Sequence, residues 1–369
     1  MSTIACTPGR NGQPDEGIMR YFTLEQAEKV TAYHRDFPGY CETALTELPA
    51  LAEQTGVRAI LIKDESTRFG LNAFKALGSS YAAGFLGENT DAVMTATDGN
   101  HGRGLAYTAR VTGRKCTVFM PAGSARARVE NIRKEGAEVI VTDVNYDDTV
   151  RMARDAALET GAALIQDTAW EGYETVPLRI MQGYLTMAAE ATDQLGDRIP
   201  THVFLQAGVG SMAAAVTAYL TSRYGTRRPD IYIVEPMTAD CCFRSGADPE
   251  GKRRIVRGDL KTIMAGLACG EPCTLAWEIL RDAAAGFLAV DDDTAAEGMR
   301  RLARPAGNDP AVVSGESGAA GFGAMLSVLT EPKHQKLRQA MRLDADSVIL
   351  CFSTEGDTDP ENRSRILEN

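Results

Sequence analysis

Short runs of apolar, mostly β-branched residues alternate along this chain with longer amphipathic stretches. Such runs, bounded by turn residues, are typical of strands buried on both faces of a parallel sheet. The predicted strands are 59–63, 92–95, 117–120, 138–141, 163–166, 202–205, 231–234 and 347–352. The predicted helices are 102–111, 126–135, 146–159, 179–194 and 212–224. This alternation predicts an α/β protein with mostly parallel sheets covered by helices.

The chain has 369 residues, which is long for a single hydrophobic core and favours two domains. The strand–helix repeats of residues 86–177 predict a small inserted α/β domain. Residues 1–85 and 178–369 would form the larger domain. The first twenty or so residues are polar and contain glycine and proline, so we expect them to be loosely ordered.

The composition is that of an ordinary globular protein, with 44% hydrophobic and 24% charged residues. A net charge of −11 argues against nucleic-acid and anionic membrane partners. The chain start has no signal-peptide pattern and no apolar run is long enough to span a membrane, which predicts a cytoplasmic protein. The eight cysteines form no Cys-x-x-Cys pair, the four histidines are scattered, and no metal site is predicted.

Lys75 is the most informative residue. It follows a Gly-Leu-Asn turn and opens an apolar helix, and its helical neighbours are Leu71, Gly78 and Ser79. None of these is acidic and two are small, which leaves room for a bulky group beside the amine. A desolvated lysine loses its proton readily and attacks carbonyl groups. The ordinary alternative is a lysine whose stem lies along the protein surface.

The segment 206–213 follows a predicted strand and opens a helix. Its glycines, Gly208 and Gly210, allow consecutive backbone N–H groups to point at one phosphate. The spacing also fits a dinucleotide fingerprint, with Glu235 ending the next strand where a ribose acceptor would lie. The segment alone therefore leaves two cofactor classes open, a mononucleotide-like phosphate and a nicotinamide dinucleotide.

Two further polar segments follow strands. In 97–104, Asp98 is a candidate base and Asn100 a candidate donor to a phenolic oxygen, although either alone is also a helix cap. The glycines of this segment would permit close approach of a flat ligand. In 166–173, Asp167 is a candidate carboxylate for a cationic substrate group.

The last polar segments lie near the C-terminus. At the end of the final strand, a hydroxyl of Ser353 or Thr354 is placed to bond a ring nitrogen, or the segment is an ordinary acidic turn. In 314–318, Glu316 is either a cap partner or a contact beside the same ring.

Together these motifs resemble the fold type II pyridoxal-phosphate enzymes, the tryptophan synthase β and threonine dehydratase group, and within it the diaminopropionate ammonia-lyases. The resemblance runs from about residue 20 to the end. The segments that carry it are 68–78, 97–104, 145–149, 166–173, 181–184, 206–212, 264–270, 314–318 and 353–359.

The resemblance implies two three-layer α/β/α domains and the cofactor pyridoxal 5′-phosphate. It implies that Lys75 forms the internal aldimine and that Asn100 bonds the phenolic oxygen of the cofactor. The residues implied to bind the rest of the cofactor are Gly208, Val209, Gly210, Ser211, Met212, Glu316, Ser353 and Thr354. A neutral hydroxyl at the ring nitrogen suits elimination better than transamination.

The implied reaction is α,β-elimination of D- or L-2,3-diaminopropionate to pyruvate and two ammonia. Lys75 and Asp98 would accept the Cα proton on opposite faces, and Asp167 would hold the distal ammonium. A homodimer is also implied. The alternatives are a serine or threonine dehydratase of the same family, a nicotinamide-dependent oxidoreductase that uses the Gly208 loop, and a non-catalytic ligand sensor.

Overall fold

The computed structural model describes residues 2–97 and 99–368, and of Asp147 only the backbone. The strands are β1 (Ile4–Pro8), β2 (Leu45–Glu47), β3 (Ala59–Asp64), β4 (Ala92–Ala96), β5 (Lys115–Met120), β6 (Glu138–Val141), β7 (Ala163–Leu164), β8 (His202–Gln206), β9 (Asp230–Pro236), β10 (Gly286–Val290) and β11 (Val348–Ser353).

The helices of the first half are α1 (Glu16–Met19), α2 (Leu24–Asp36), α3 (Pro49–Thr55), α4 (Ala76–Ala83), α5 (Asn100–Val111), α6 (Arg126–Lys134), α7 (Tyr146–Thr160), α8 (Thr175–Gly183) and α9 (Leu185–Leu195). Those of the second half are α10 (Ser211–Tyr224), α11 (Cys241–Gly246), α12 (Thr274–Ala283), α13 (Asp292–Ala303), α14 (Ala320–Thr330), α15 (Gln335–Ala340) and α16 (Pro360–Glu368). None of the described helices is long and apolar enough to cross a membrane.

The larger sheet has seven strands in the order β1-β10-β9-β8-β11-β3-β2. The five inner strands are parallel, and both edge strands, β1 and β2, are antiparallel to their neighbours. The inner strands β8, β10 and β11 are buried along their whole length, as expected for a sheet covered on both faces.

The smaller sheet has four parallel strands in the order β6-β5-β4-β7, and all four lie within residues 86–177. The predicted α/β class with mostly parallel sheets is confirmed by the two sheets and by the match to solved structures described below.

The start of the chain differs from the expectation of loose order. Residues 4–8 form β1 and pair with β10, from Ile4 opposite Val290 to Pro8 opposite Gly286. Its side chains are exposed or half-buried and give no continuous apolar run, because an edge strand is covered on fewer sides. The predicted helix 179–194 is likewise two helices, α8 and α9, which meet at Tyr184.

Helix α4, which follows Lys75, is buried on all sides. Its small residues allow this: a Cβ added to Gly78 would lie 2.7 Å from side-chain atoms of both Ile180 and Tyr184 in the neighbouring region of α8. A helix enclosed in this way cannot shift without disturbing the core, because protein interiors are close-packed. The first turn of α4 therefore holds Lys75 at a fixed place.

A fully buried ion cluster supports the segment that leads to Lys75. The guanidinium of Arg68 bonds Glu65 at 2.8 Å and Glu190 at 2.7 Å, and the amine of Lys63 bonds Glu190 at 2.7 Å. Burial acts to raise the pKa of Glu190, but the hydrogen bonds and charges of Arg68 and Lys63 outweigh it and lower the pKa to about 2. Two cations and two carboxylates balance one another, so the cluster is neutral as a whole.

The chain leaves this cluster through a backbone that L-residues rarely adopt. Phe69 and Asn72 have φ of 52° and 57°, and Gly70 between them has φ of 70°. Left-handed conformation at a buried aromatic residue is strained and persists only where its surroundings fix it. We attribute its persistence to the neighbouring Arg68 cluster, which anchors the turn from one side.

We predict that Glu190→Gln lowers the free energy of unfolding at neutral pH by about 3–5 kcal/mol, because it leaves an uncompensated buried cation. The wild-type carboxylate stabilises the fold above pH 4.5, its ordinary pKa, and loses that contribution as the pH falls toward about 2. The variant should therefore show a shallower loss of stability across that acid range in urea titrations.

The matched control is Glu47→Gln. Glu47 also bonds an arginine, Arg198, at 2.8 Å, but both side chains are more than 40% exposed. Exposed pairs contribute up to about 1 kcal/mol. Equal losses of stability in the two variants would contradict the role assigned to the buried cluster.

Candidate active site

A cleft lies where the carboxyl ends of the two sheets meet. Ligands of open parallel sheets bind at such ends, because the polar loops converge there. The residues that line the cleft are Phe74, Lys75, Thr97, Gly99, Asn100, His101, Arg128, Tyr146, Asp167, Gln206, Ala207, Gly208, Val209, Gly210, Ser211, Met212, Gly266, Leu267, Cys269, Ser317, Thr354 and Glu355.

Lys75 projects into this cleft from the residue before α4. Its Nζ lies 2.5 Å from Oδ2 of Asp167, which follows β7 of the smaller sheet. Burial acts to lower the pKa of Lys75, but the charge of Asp167 outweighs it and the pKa lies above its ordinary range. The sequence showed no acidic neighbour on the same helix, because the partner comes from the other sheet.

Asp167 is the only carboxylate among the described lining residues that pairs with this amine. Burial acts to raise its pKa, but the charge of Lys75 and the hydrogen bond from its amine outweigh burial and lower the pKa to about 2. Its backbone is held as well, since the Ser211 hydroxyl donates to the Asp167 carbonyl oxygen at 3.0 Å. The acid predicted to hold a cationic substrate group is paired here with the ammonium of Lys75.

The segment around Asn100 lies across the cleft. Asn100 begins α5, and its Nδ2 donates to Oε2 of Glu355 at 2.5 Å. His101 donates from Nε2 to the Ile165 carbonyl oxygen at 2.7 Å, and burial lowers the pKa of its ring. Asp98 lies outside the described residues.

Two glycines of this segment, Gly102 and Gly104, are needed for packing within the protein, and Gly99 lines the cleft. A Cβ on Gly102 would lie 2.4 Å from Cγ2 of Thr97, and one on Gly104 would lie 2.8 Å from the backbone nitrogen of Ala76. These two glycines therefore let α5 approach β4 and the start of α4. Their positions bring Asn100 and Lys75 into one cleft.

The loop 208–210 connects β8 to α10 and faces the cleft. Within the part of the chain that the structure describes, no protein group accepts the backbone N–H groups of residues 208–212. Gly208 is required for close packing, since a Cβ there would lie 3.0 Å from the Cys269 sulfur and 3.2 Å from the Gly266 carbonyl oxygen. Free amides at a helix start form an anion site.

The C-terminal residues divide into two groups. Thr354 lines the cleft and accepts a hydrogen bond from Nε2 of Gln206 at 2.7 Å, whereas the hydroxyl of Ser353 donates to Ser314 behind the wall. Glu316 is also behind the wall and bonds Asn362. Burial and the charge of Glu355 raise the pKa of Glu316 to about 7.

Glu235, the ribose acceptor that the dinucleotide interpretation requires, is already bonded within the protein. Both oxygens of the Glu235 carboxylate accept backbone N–H groups at the start of α11, from Cys242 at 2.8 Å and Phe243 at 2.6 Å. The side chain is fully buried and does not line the cleft. A sugar hydroxyl at the Gly208 loop could not reach it.

Comparison with known proteins decides the family. Residues 37–355 match the family described as "Pyridoxal-phosphate dependent enzyme". This chain belongs to that family. The predicted cofactor, pyridoxal phosphate, is confirmed.

This pyridoxal-phosphate enzyme is 47% identical to "Diaminopropionate ammonia-lyase" of Escherichia coli K12 over 94% of this chain and 92% of that protein. The protein of the same name in Salmonella typhimurium is 45% identical over 92% of this chain and 91% of its own length. A crystal structure of the E. coli protein "in complex with aminoacrylate-PLP azomethine reaction intermediate" superposes with a TM-score of 0.93 at 45% identity, covering 100% of this chain and 97% of that one. The predicted resemblance is confirmed.

The cleft of this pyridoxal-phosphate enzyme fits its cofactor. The free amides of 208–212 suit a phosphate, and the amine of Lys75 stands in the same cleft for an aldehyde. The sequence analysis missed Gln206, Arg128 and Glu355 as lining residues. Glu355 could have been noticed, because it directly follows the last strand beside the predicted hydroxyls.

We predict that Gly208→Ala weakens pyridoxal-phosphate binding by about tenfold or more, because a Cβ would displace the loop and misdirect its amides. Titration of the apoprotein, followed by tryptophan fluorescence, measures the dissociation constant. Gly87→Ala is the control, since a Cβ at Gly87 would meet no atom within 4 Å. Unchanged binding in Gly208→Ala would refute the assignment of this loop.

Proposed function

We propose that this protein is a carbon–nitrogen lyase that converts 2,3-diaminopropionate and water to pyruvate and two ammonia. The observation that carries the proposal is the buried Asp167 carboxylate in the cleft, 2.5 Å from an ammonium. A substrate with a β-ammonium offers the same group on a short carbon chain. The names of the relatives support the same substrate.

The chain's own residues would divide the work around the cofactor. The phosphate of the cofactor would be held by the backbone amides of Gly208, Val209, Gly210, Ser211 and Met212. Lys75 would bond the aldehyde carbon of the cofactor, and Thr354 or Ser353 would bond its ring nitrogen. Thr354 is the better placed of the two hydroxyls, because it lines the cleft. When bound, the cofactor withdraws electrons from the Cα of an attached amino acid and so loosens its proton.

Asn100 would orient the cofactor ring by donating to its phenolic oxygen. Nδ2 carries two N–H groups, and the structure shows one of them on Glu355, so the second remains for the cofactor. Glu316 lies behind the cleft wall and interacts with the charge of Glu355. It would therefore influence the cofactor through Glu355 and not by direct contact.

In the proposed reaction the ion pair of Lys75 and Asp167 separates, so that Lys75 bonds the cofactor and Asp167 bonds the substrate. The amine must give up its proton to bind the cofactor, and the loss of that charge frees Asp167. The freed carboxylate then holds the β-ammonium of the substrate, the group that leaves as ammonia. The surrounding buried residues keep water from screening this pairing.

The proton at Cα would leave to one of two bases. Lys75 Nζ would take it on one face and the Asp98 carboxylate on the other, so that both D- and L-isomers react. The resemblance supports this assignment. A serine or threonine dehydratase is the alternative within the same family, and it would release a neutral hydroxyl that needs no carboxylate at Asp167.

The deciding experiment is product stoichiometry for each substrate. We expect two ammonia per pyruvate from D- and L-2,3-diaminopropionate, and a catalytic efficiency on serine lower by about a hundredfold or more, as loss of a buried charge pair implies. Asp167→Asn should reduce efficiency on the diamine far more than on serine, whereas Asp193→Asn, at an exposed position, should change neither. Equal efficiency on serine and the diamine would reject the substrate.

A second prediction separates the two bases. Asp98→Asn should lose turnover of the D-isomer much more than of the L-isomer, because the amide cannot accept the Cα proton on its face. Initial rates with each pure enantiomer measure the ratio. Equal losses on both isomers would remove the two-base assignment.

We further propose a cytoplasmic homodimer. The resemblance supports the dimer, and the eight cysteines, all free thiols, fit a reducing compartment. We propose the division into residues 86–177 and the remainder as the domain boundary, because the smaller sheet lies entirely in that segment. Light scattering on the purified protein tests the oligomeric state.

A further inference from the structure

We infer that Glu355 is a positioning residue that joins three cofactor-facing segments and fixes the orientation of the Asn100 amide. The inference rests on the proposed contact of Asn100 with the cofactor. Glu355 is 1% exposed and follows β11, the last strand of the larger sheet. The sequence alone shows it only as part of an acidic segment after the last strand.

The backbone around Glu355 pairs with the segment that leads to Lys75. Glu355 and Ala73 form an isolated antiparallel bridge. The amide of Phe74 donates to the Thr354 carbonyl oxygen at 3.2 Å, and the amide of Gly356 donates to that of Asn72 at 2.8 Å. The end of β11 is thus fastened to the residues directly before the catalytic lysine.

The glycines of the 314–318 segment make room for Glu355. A Cβ on Gly315 would lie 3.0 Å from Cγ and Oε1 of Glu355, and one on Gly318 would lie 2.7 Å from its carbonyl oxygen. The amides of Gly315 and Ser317 donate to its carbonyl oxygen and to Oε1, each at 2.9 Å. This close approach gives Gly315 and Gly318 of the 314–318 segment a packing role that the proposed cofactor contacts do not account for.

The other carboxylate oxygen, Oε2, accepts from Asn100 Nδ2 at 2.5 Å and weakly from the Thr358 hydroxyl at 3.4 Å. A carboxylate only accepts hydrogen bonds, whereas an amide has one donating and one accepting end. Only the Nδ2 end of Asn100 can therefore face Glu355. A glutamine at position 355 could either accept from Nδ2 of Asn100 or donate to its Oδ1. The Asn100 amide would then be free to rotate by half a turn.

The test measures cofactor affinity and not turnover. Glu355→Gln should raise the dissociation constant of pyridoxal phosphate about tenfold. It should also shift the visible absorption maximum of the loaded protein. In an Asn100→Ala background, the same substitution should change neither quantity, because its effect acts through Asn100. Glu361→Gln, an exposed glutamate of α16, is the matched control.

An equal effect of Glu355→Gln in both backgrounds, or no effect in the wild type, would overturn the inference. If Glu355→Gln does not fold, the exchanged pair Asn100→Asp with Glu355→Gln restores a donor and an acceptor. We expect this double variant to recover the melting temperature but not the cofactor affinity. Wild-type affinity in the exchanged pair would also overturn the inference.

These outcomes are separate from the proposed substrate. Affinity and absorption report on the cofactor whatever amino acid the enzyme uses. A wild-type protein that fails to release pyruvate from the diamine would reject the proposed function and leave the Glu355 assignment standing.

Discussion

The ion pair between Lys75 and Asp167 is the contact on which the active site depends. Its two members come from different sheets, and their atoms lie 2.5 Å apart inside the cleft. Either charge alone would be costly to bury, because water is largely excluded there. The pair therefore ties the geometry of the site to the meeting of the two sheets, and in the proposed function it would leave Asp167 in need of a cation when Lys75 holds the cofactor.

The rest of the fold holds both members in place. Lys75 opens an enclosed helix, and the strained turn before it lies next to the buried cluster of Arg68 and Glu190. The end of β11 is fastened to the same turn through Glu355. The free amides of the Gly208 loop face the same cleft.

The sequence predicted four of the five inner strands of the larger sheet, because strands covered on both faces are continuous apolar runs. It missed the inner strand β10, although this strand is as buried and apolar as its neighbours. It also missed the edge strands β1 and β2, which lack such a run, and it joined α8 to α9, since the turn at Tyr184 carries no proline. The family and the cofactor were implied by the resemblance of the motifs, several of which directly follow a strand, and the alternation of strands and helices predicted the fold class.

Relations between distant residues were harder to predict. The partner of Lys75 lies 92 positions away, and that of Asn100 lies 255 positions away. The packing role of Gly102 and Gly104 could not be predicted either, because a sequence does not show what a missing Cβ would meet. The sequence places Glu355 among other acidic residues and does not show its contact with Asn100.

The most direct test of the account is the site of cofactor attachment. The holoenzyme is reduced with borohydride, digested, and its peptides are mapped by mass spectrometry, with Lys75→Ala treated in parallel. The account predicts a phosphopyridoxyl group on the peptide containing Lys75 and no reducible chromophore in the variant. Attachment at another lysine, or a chromophore retained in Lys75→Ala, would contradict it.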